Sequence, residues 1–385
     1  MPLPMFEKLS DFWRTIQRQL FPSLSEDLGP LSDKHRDLIA RLEVVRIEET
    51  VPRSFQVTGR PPKDRVAIAR AFVAKAVYDL PTTRQLIERV HADPIFRRIC
   101  GWERKKDIPS ESVFSRAFAE LAEHEVGARA HERLIENALG DRIVGHISRD
   151  STAIEAREKP IFKPEIDTSS APKPQKRRGR PRKGEERPPK EPSRLDLQLK
   201  MTFPEMIEGL PTVCDRGTKR NSKGHQESWN GYKLHIDTAD GQIPISVILT
   251  SASVHDSQVA IPLATLTAQR VTSLYDLMDS AYDAPQIREY CKRLGHVPLI
   301  DINPRRDAAL KEELKMEAAR RRQAGIHLAE EVRYNERTTS ERVNARLKDE
   351  YGGRHVRVRG ACKVACHLMF GILVLTADQL LRLVR

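Results

Sequence analysis

From Gly231 onward the chain switches repeatedly between a strand-like and a helix-like hydrophobic period, and that alternation leaves few folds open. "GYKLHIDTADGQIPISVILTS" holds two β-rich runs on either side of Asp240-Gly241, a dipeptide suited to a tight hairpin turn. "VHDSQVAIPLATL" follows with helical spacing, and Asp256 or Ser257 is expected to cap it. "SLYDLMD" then reads as a strand ending at Asp279. "APQIREYCKRLG" reads as a helix opened by Pro285 and stopped at Gly295, and "HVPLIDIN" as the next strand. Strand, helix, strand makes a parallel pair with a crossover. Upstream, "RIVGHISRDST" reads as a strand ending in Asp150. The expectation is an α/β protein whose mixed sheet carries helices on its faces.

The first 140 residues read differently. Leu38, Ile39, Leu42 and Val45 recur at helical spacing behind Ser32, a good N-cap. Pro61-Pro62 is expected to open a second helix with Val66, Ala69, Val73, Ala76 and Leu80 on one face, and Thr82-Thr83 to cap a third. "DPIFRRICG" and "SESVFSRAFAELAEHEV" continue the pattern. Short helices joined by tight turns are the setting of a helix-turn-helix, so the division expected is a helical domain over 1–140, DNA-binding on that reading, and a sheet domain over 141–385, interrupted by a basic, Pro-rich insert over 156–224.

Charge points to the partner. Lys+Arg is 66 against 54 Asp+Glu, a net charge of +12, which favours a polyanion. Lys173–Arg194 holds ten Lys/Arg and three Glu, a net +7 that cannot bury a core. Within it "RRGRPRK" resembles an AT-hook, with Arg178, Arg180 and Arg182 entering a narrow minor groove; a non-specific basic tether is the plainer reading. No membrane association is expected. The longest apolar run, Val364–Ala377, is too short to span a bilayer and reads as a core helix, and "MPLPMFEKLSDFW" does not read as a signal peptide. Cys100, Cys214, Cys291, Cys362 and Cys366 form no C-x-x-C pair and are expected to be reduced core thiols rather than a zinc site.

One stretch resists a core reading. "YNERTTSERVNARLK", Tyr334–Lys348, places Tyr334, Arg337, Glu341 and Lys348 in a stripe about 60° wide on a single helix, with Val343 and Leu347 behind. A solvated helix laced with salt bridges fits the stretch alone. With Asp150 and Asp279 at strand ends, where sites gather in open α/β sheets, Glu341 makes a third carboxylate. Three convergent carboxylates offer hard oxygen ligands to Mg²⁺. Two such ions suit in-line phosphoryl displacement.

The order strand-Asp, "MDSAYD", then Y-x2-R-x3-E-x6-K resembles the DDE transposases of bacterial insertion sequences, in the branch with the Y-R-E-K signature. Tyr334, Arg337, Glu341 and Lys348 match at every spacing, "RDSTAIEAREKP" resembles the first-Asp block, and the likeness spans roughly residues 60–160 and 225–375. It implies an RNase H-like sheet with Asp150, Asp279 and Glu341 as catalytic residues holding two Mg²⁺ or Mn²⁺ ions. It implies that Arg337 and Lys348 contact DNA phosphates or brace the triad, and that Tyr334 meets the DNA backbone. The function implied is cutting at element ends and joining 3′-OH ends to target DNA. The partner is then double-stranded DNA, terminal repeats and target, held by a homodimer in a bacterial cytoplasm at the nucleoid. The rivals are an RNase H-like nuclease or resolvase without strand transfer, and a domesticated, non-catalytic DNA-binding protein. Some relatives carry a β-rich insert before the Glu helix; here that gap, Asn303–Arg333, is short and reads as helical.

Overall fold

The computed structural model describes residues 31–52, 63–161, 192–220, 224–305 and 307–384. Among the described residues six helices come first: α1 (Asp33–Val45), α2 (Arg65–Val77), α3 (Thr83–Ala92), α4 (Pro94–Cys100), α5 (Glu111–Glu123) and α6 (Val126–Leu139). Their starts follow from capping chemistry. Ser32 accepts from the His35 amide, Asp64 from Val66 and Ala67, Thr82 from Gln85, and Asp93 from Phe96. The cap of α2 is thus Asp64, while Pro61-Pro62 lies outside the described residues. α2 also departs from the one-faced helix expected. Ala67 through Val77 is buried almost all round, Lys75 included, because other helices cover it on several sides.

The sheet follows: β1 (Ile143–Glu155), two short helices α7 (Arg194–Gln198) and α8 (Phe203–Glu208), then β2 (Asp215–Arg220), β3 (Gln226–Ala239) and β4 (Ile243–Ser251). So the described part of the expected insert carries elements that its polar composition did not signal. Next come α9 (Ser257–Arg270), β5 (Thr272–Met278), α10 (Pro285–Arg293), β6 (Val297–Ile300), α11 (Ala308–Gln323), α12 (Ala329–Tyr334), α13 (Thr338–Glu350) and α14 (Ala361–Val384). The β3–β4 turn falls on Asp240–Gln242, where Gly241 takes a φ of +72° that glycine adopts without steric cost. The gap before α13 is helical, as the sequence reads, and α11 buries none of its side chains.

Strand order is β4-β3-β1-β5-β6, with β2 pairing the outer half of β3. β1 is antiparallel to β3 and parallel to β5, and β5 is parallel to β6. Three antiparallel strands continued by two parallel ones is the mixed α/β sheet expected, in RNase H-like order.

α14 holds the molecule together. Its stretch Ala361–Leu383 is long and apolar enough to cross a membrane, with a mean hydropathy of 1.7 over an 18-residue window, yet 83% of that window is buried within the protein. The helix is longer than the apolar run suggested, and it is a core element. One apolar cluster runs from α1–α6 through α14 into β1, β3 and β4. At its centre the Phe370 ring lies 5.8 Å from Phe72 and 6.4 Å from Phe118. Phe370→Leu removes those ring contacts and part of the buried volume, an expected loss of about 1–2 kcal/mol. Urea denaturation checks it, and an unchanged midpoint overturns the assignment. Cys100, Cys214, Cys291 and Cys366 are buried free thiols; Cys362 is exposed, contrary to the core placement expected, because it lies near the start of α14.

Candidate active site

β1 does not end at Asp150. It continues to Glu155, held by β3 alone, because its parallel partner β5 stops first. Ser148 lies opposite Leu277 in the parallel register. Asp150 and Asp279 are each two residues further along neighbouring strands. With a side-chain period of two, both face the side on which Ser148 lies. The strand-end reading of Asp150 is therefore corrected: it stands mid-strand, where parallel pairing ends.

α13 is fastened over that face. The Ser148 hydroxyl meets the Arg337 carbonyl at 2.8 Å and the Ser340 hydroxyl at 3.0 Å. Asn344 Nδ2 donates to Asp150 Oδ2 at 3.0 Å. Val343 and Leu347 are fully buried behind the helix, as its spacing predicts. The single helix expected over Tyr334–Lys348 is instead α12 and α13 joined by a 3₁₀ turn at Asn335–Arg337. The tighter turn rotates Tyr334 relative to Glu341.

Each predicted residue has a definite environment. Asp279 accepts from the Ala281 amide at 2.9 Å. Burial pushes the Asp150 carboxyl up to about 6, and the negative charges of Asp279 and Asp256 add to that push. Burial likewise raises Asp279, with Asp256 and Asp301 adding to it. Glu341, in the first turn of α13, is half exposed and accepts from Arg337 Nη2 at 2.8 Å. Burial works against the Arg337 charge, but Tyr334, Glu341 and Asp150 outweigh it and raise its pKa. Tyr334 Oη donates to Asp301 Oδ2 at 2.7 Å, at the end of β6. Lys348 lies two turns along α13 from Glu341, beside Lys219 and Arg354 rather than beside the carboxylates. Asp150 and Asp279 therefore share one site with Arg337 between them and Glu341. Among the described residues no three His, Cys, Asp or Glu side chains stand close enough to ligate one ion. Arg178, Arg180 and Arg182 lie outside the described residues.

For Asp256 the sequence reading preferred a helix cap over a supporting place beside the catalytic carboxylates. Asp256 occupies the N-cap position of α9, but its side chain makes no cap hydrogen bond. Its Oδ1 instead accepts from Ser151 Oγ at 2.9 Å and Lys233 Nζ at 3.0 Å. Burial opposes ionisation there, but the charge of Lys233 and the hydrogen bonds from Lys233 and Ser151 keep Asp256 below the usual carboxylate range. The cap expectation fails because Lys233 on β3, a residue with no sequence signal, supplies a stronger partner than a backbone amide. Asn344, three residues after Glu341, was legible only as a polar residue on the buried side of α13.

The result is two aspartates, Asp150 and Asp279, raised by burial and facing one side of the sheet, with Asp256 and Glu341 nearby, in a protein of net charge +12. Such oxygen donors suit hard divalent cations, and the burial that raises Asp150 and Asp279 is a cost that a bound cation would relieve.

Comparison with known proteins finds two family matches. A family described as "Transposase DDE domain" matches residues 149–377, and one described as "Transposase domain (DUF772)" matches residues 25–120. No curated protein and no solved structure matches the chain. The first match covers more than half of the chain and holds Asp150, Asp279 and Glu341 within it. The protein therefore belongs to the DDE transposase family of insertion sequences and is a DNA transposase.

Proposed function

We propose that this transposase cuts DNA at the ends of its element and joins the freed 3′-OH to target DNA. In this reading Asp150, Asp279 and Glu341 hold two Mg²⁺ or Mn²⁺ ions. The observation that carries it is the β1–β5 register, which sets two carboxylates side by side under a helix whose first turn bears Glu341. When bound, such ions activate one phosphodiester oxygen and stabilise the leaving one. The chain's own residues orient the site. Asn344 fixes the Asp150 carboxylate through its hydrogen bond. Arg337 holds Glu341 and offsets the negative charge around Asp150. The bond from Lys233 and Ser151 keeps Asp256 turned toward β1 and β3.

The test is cleavage of a labelled duplex carrying the element's terminal repeat. Mg²⁺ or Mn²⁺ is expected to support cleavage and joining. Ca²⁺ is expected to support binding alone, because its larger, looser coordination shell does not hold the octahedral geometry of Mg²⁺. Full cleavage in excess chelator removes the metal reading. Cleavage without joining reassigns the protein as a nuclease.

A further inference from the structure

We propose that Lys219, Arg357 and Arg359 form, with Lys348, a rail that binds the backbone phosphates of the duplex flanking the cleaved bond. The inference rests on the proposed active site for its direction along the DNA, but not for the surface itself.

Two pieces build the surface. β3 pairs with β1 from Gly231 onward, whereas Gln226–Asn230 pair with β2. The Arg216↔Asn230 to Arg220↔Gln226 pairs thus run beyond the end of β1 as a ribbon about 17 Å long. Gly231 marks the switch: a Cβ there would stand 2.1 Å from the Ile154 carbonyl. Lys219 is exposed on this ribbon, opposite Glu227.

The second piece is the connection from α13 to α14. "RHVRVRGACK", residues 354–363, has four basic residues and no acid. Val356 is buried in the main core and Val358 packs against it, while Arg357 and Arg359 face solvent. The Gly360 amide donates to Glu158 at 3.1 Å, and Tyr232 donates to the same carboxylate. The strand of arginines is thereby tied to the chain leaving β1.

Lys348 joins the two pieces. Burial, then Lys219 and Arg354, push its ammonium pKa down, against the opposing pull of Glu155 and Asp349. Arg354 is itself paired with Asp349 at 2.7 Å. Among the described residues, Lys219, Lys348, Arg357 and Arg359 form no ion pair. Glu227 stands across from Lys219, and Glu155 and Asp349 lie near Lys348. Yet among the described residues none of the four cations is held in an ion pair, so their charge stays open to an anion, and evenly spaced backbone phosphates supply one. Lys348 lies seven residues after Glu341, about 10.5 Å along α13 and within about 20° of the same face. At about 3.4 Å per base pair, the rail begins roughly three base pairs from the cleaved phosphate.

The experiment uses the full chain and a terminal-repeat duplex in Ca²⁺, with affinity measured from 50 to 200 mM NaCl. K219Q/R357Q/R359Q is compared with the charge-keeping K219R/R357K/R359K. Each phosphate contact contributes about 0.9 to the log–log salt slope, so the neutral variant is expected to flatten it by about 2.7. The charge-keeping variant is expected to retain the slope. An unchanged slope in the neutral variant overturns the rail, and an equal loss in both variants shows a folding effect and overturns it too. Cleavage by Glu341→Gln is read separately. If that variant is inactive while the salt slope is unchanged, the rail fails and the triad stands; if it cleaves while the slope flattens, the triad fails and the rail stands.

Discussion

Glu341→Gln is expected to lower cleavage of a pre-bound element end by on the order of 10³-fold while leaving end binding nearly intact. The substitution keeps size and hydrogen bonding but removes the charge that holds an ion. Loss of an ion's transition-state stabilisation is worth several kcal/mol, and about 4 kcal/mol corresponds to roughly 10³-fold. The fold is expected to tolerate the change, because Glu341 is half exposed and its partner Arg337 keeps its ring contact with Tyr334. Glu336 is the internal control. It sits in the 3₁₀ turn and lines a different groove, with His146, Asp240, Val332 and Arg333. Glu336→Gln is expected to leave cleavage unchanged within a few-fold. Both variants are assayed on a labelled terminal-repeat duplex, with binding checked by gel shift in Ca²⁺. An inactive Glu336→Gln beside an active Glu341→Gln means the wrong face of the helix was assigned; two active variants remove Glu341 from the triad.

The largest stability effect is expected at Arg149→Met. Arg149 is fully buried and donates to both oxygens of Asp237, Nε to Oδ1 at 2.8 Å and Nη2 to Oδ2 at 2.7 Å. Asp276 on β5 lies 3.8 Å away, and Asp237 also accepts from Thr267 of α9 at 2.7 Å. Burial works against the guanidinium charge, but Asp237 and then Asp276 raise its pKa. One side chain therefore ties β1 to β3, β5 and α9 on the face opposite Asp150. Removing it strands a buried carboxylate, which costs about 3–5 kcal/mol. The sign with pH follows. Burial already raises Asp237 in the folded chain, and without Arg149 the lift grows. A raised carboxyl contributes stability below its unfolded pKa and loses it as pH rises, so the deficit should be larger at pH 8 than at pH 5. Denaturant unfolding at the two pH values measures it. Arg149→Met/Asp237→Leu removes the carboxylate that Arg149 chelates and leaves Asp276 its His296 partner at 2.9 Å, so it is expected to recover much of the loss. A deficit below about 1 kcal/mol would falsify the account of Arg149 as the sheet's central tie.

The sequence by itself determined what depends on near neighbours along the chain. Caps at Ser32 and Thr82, the Asp240-Gly241 turn, the βαβ unit ending at Ile300 and the buried back of α13 at Val343 and Leu347 all follow from spacing of a few residues. The same holds for Asp279, which directly follows the last residue of β5. Tertiary structure alone decided what depends on pairing across the sheet. Asp150 is placed by a register with β5 about 130 residues away, and no local pattern records where a parallel partner stops. Asp256 leaves its cap because Lys233 arrives from another strand. Arg149 becomes a core residue because Asp237 and Asp276 converge on it from two others. Phe370 binds the N-terminal helices to the sheet, so the two halves that composition distinguishes share one core. The physical reason is common to all four. Capping and hydrophobic period are energies of adjacent residues, whereas a buried charge or an aromatic ring takes its partner from whatever the completed fold brings within a few ångströms.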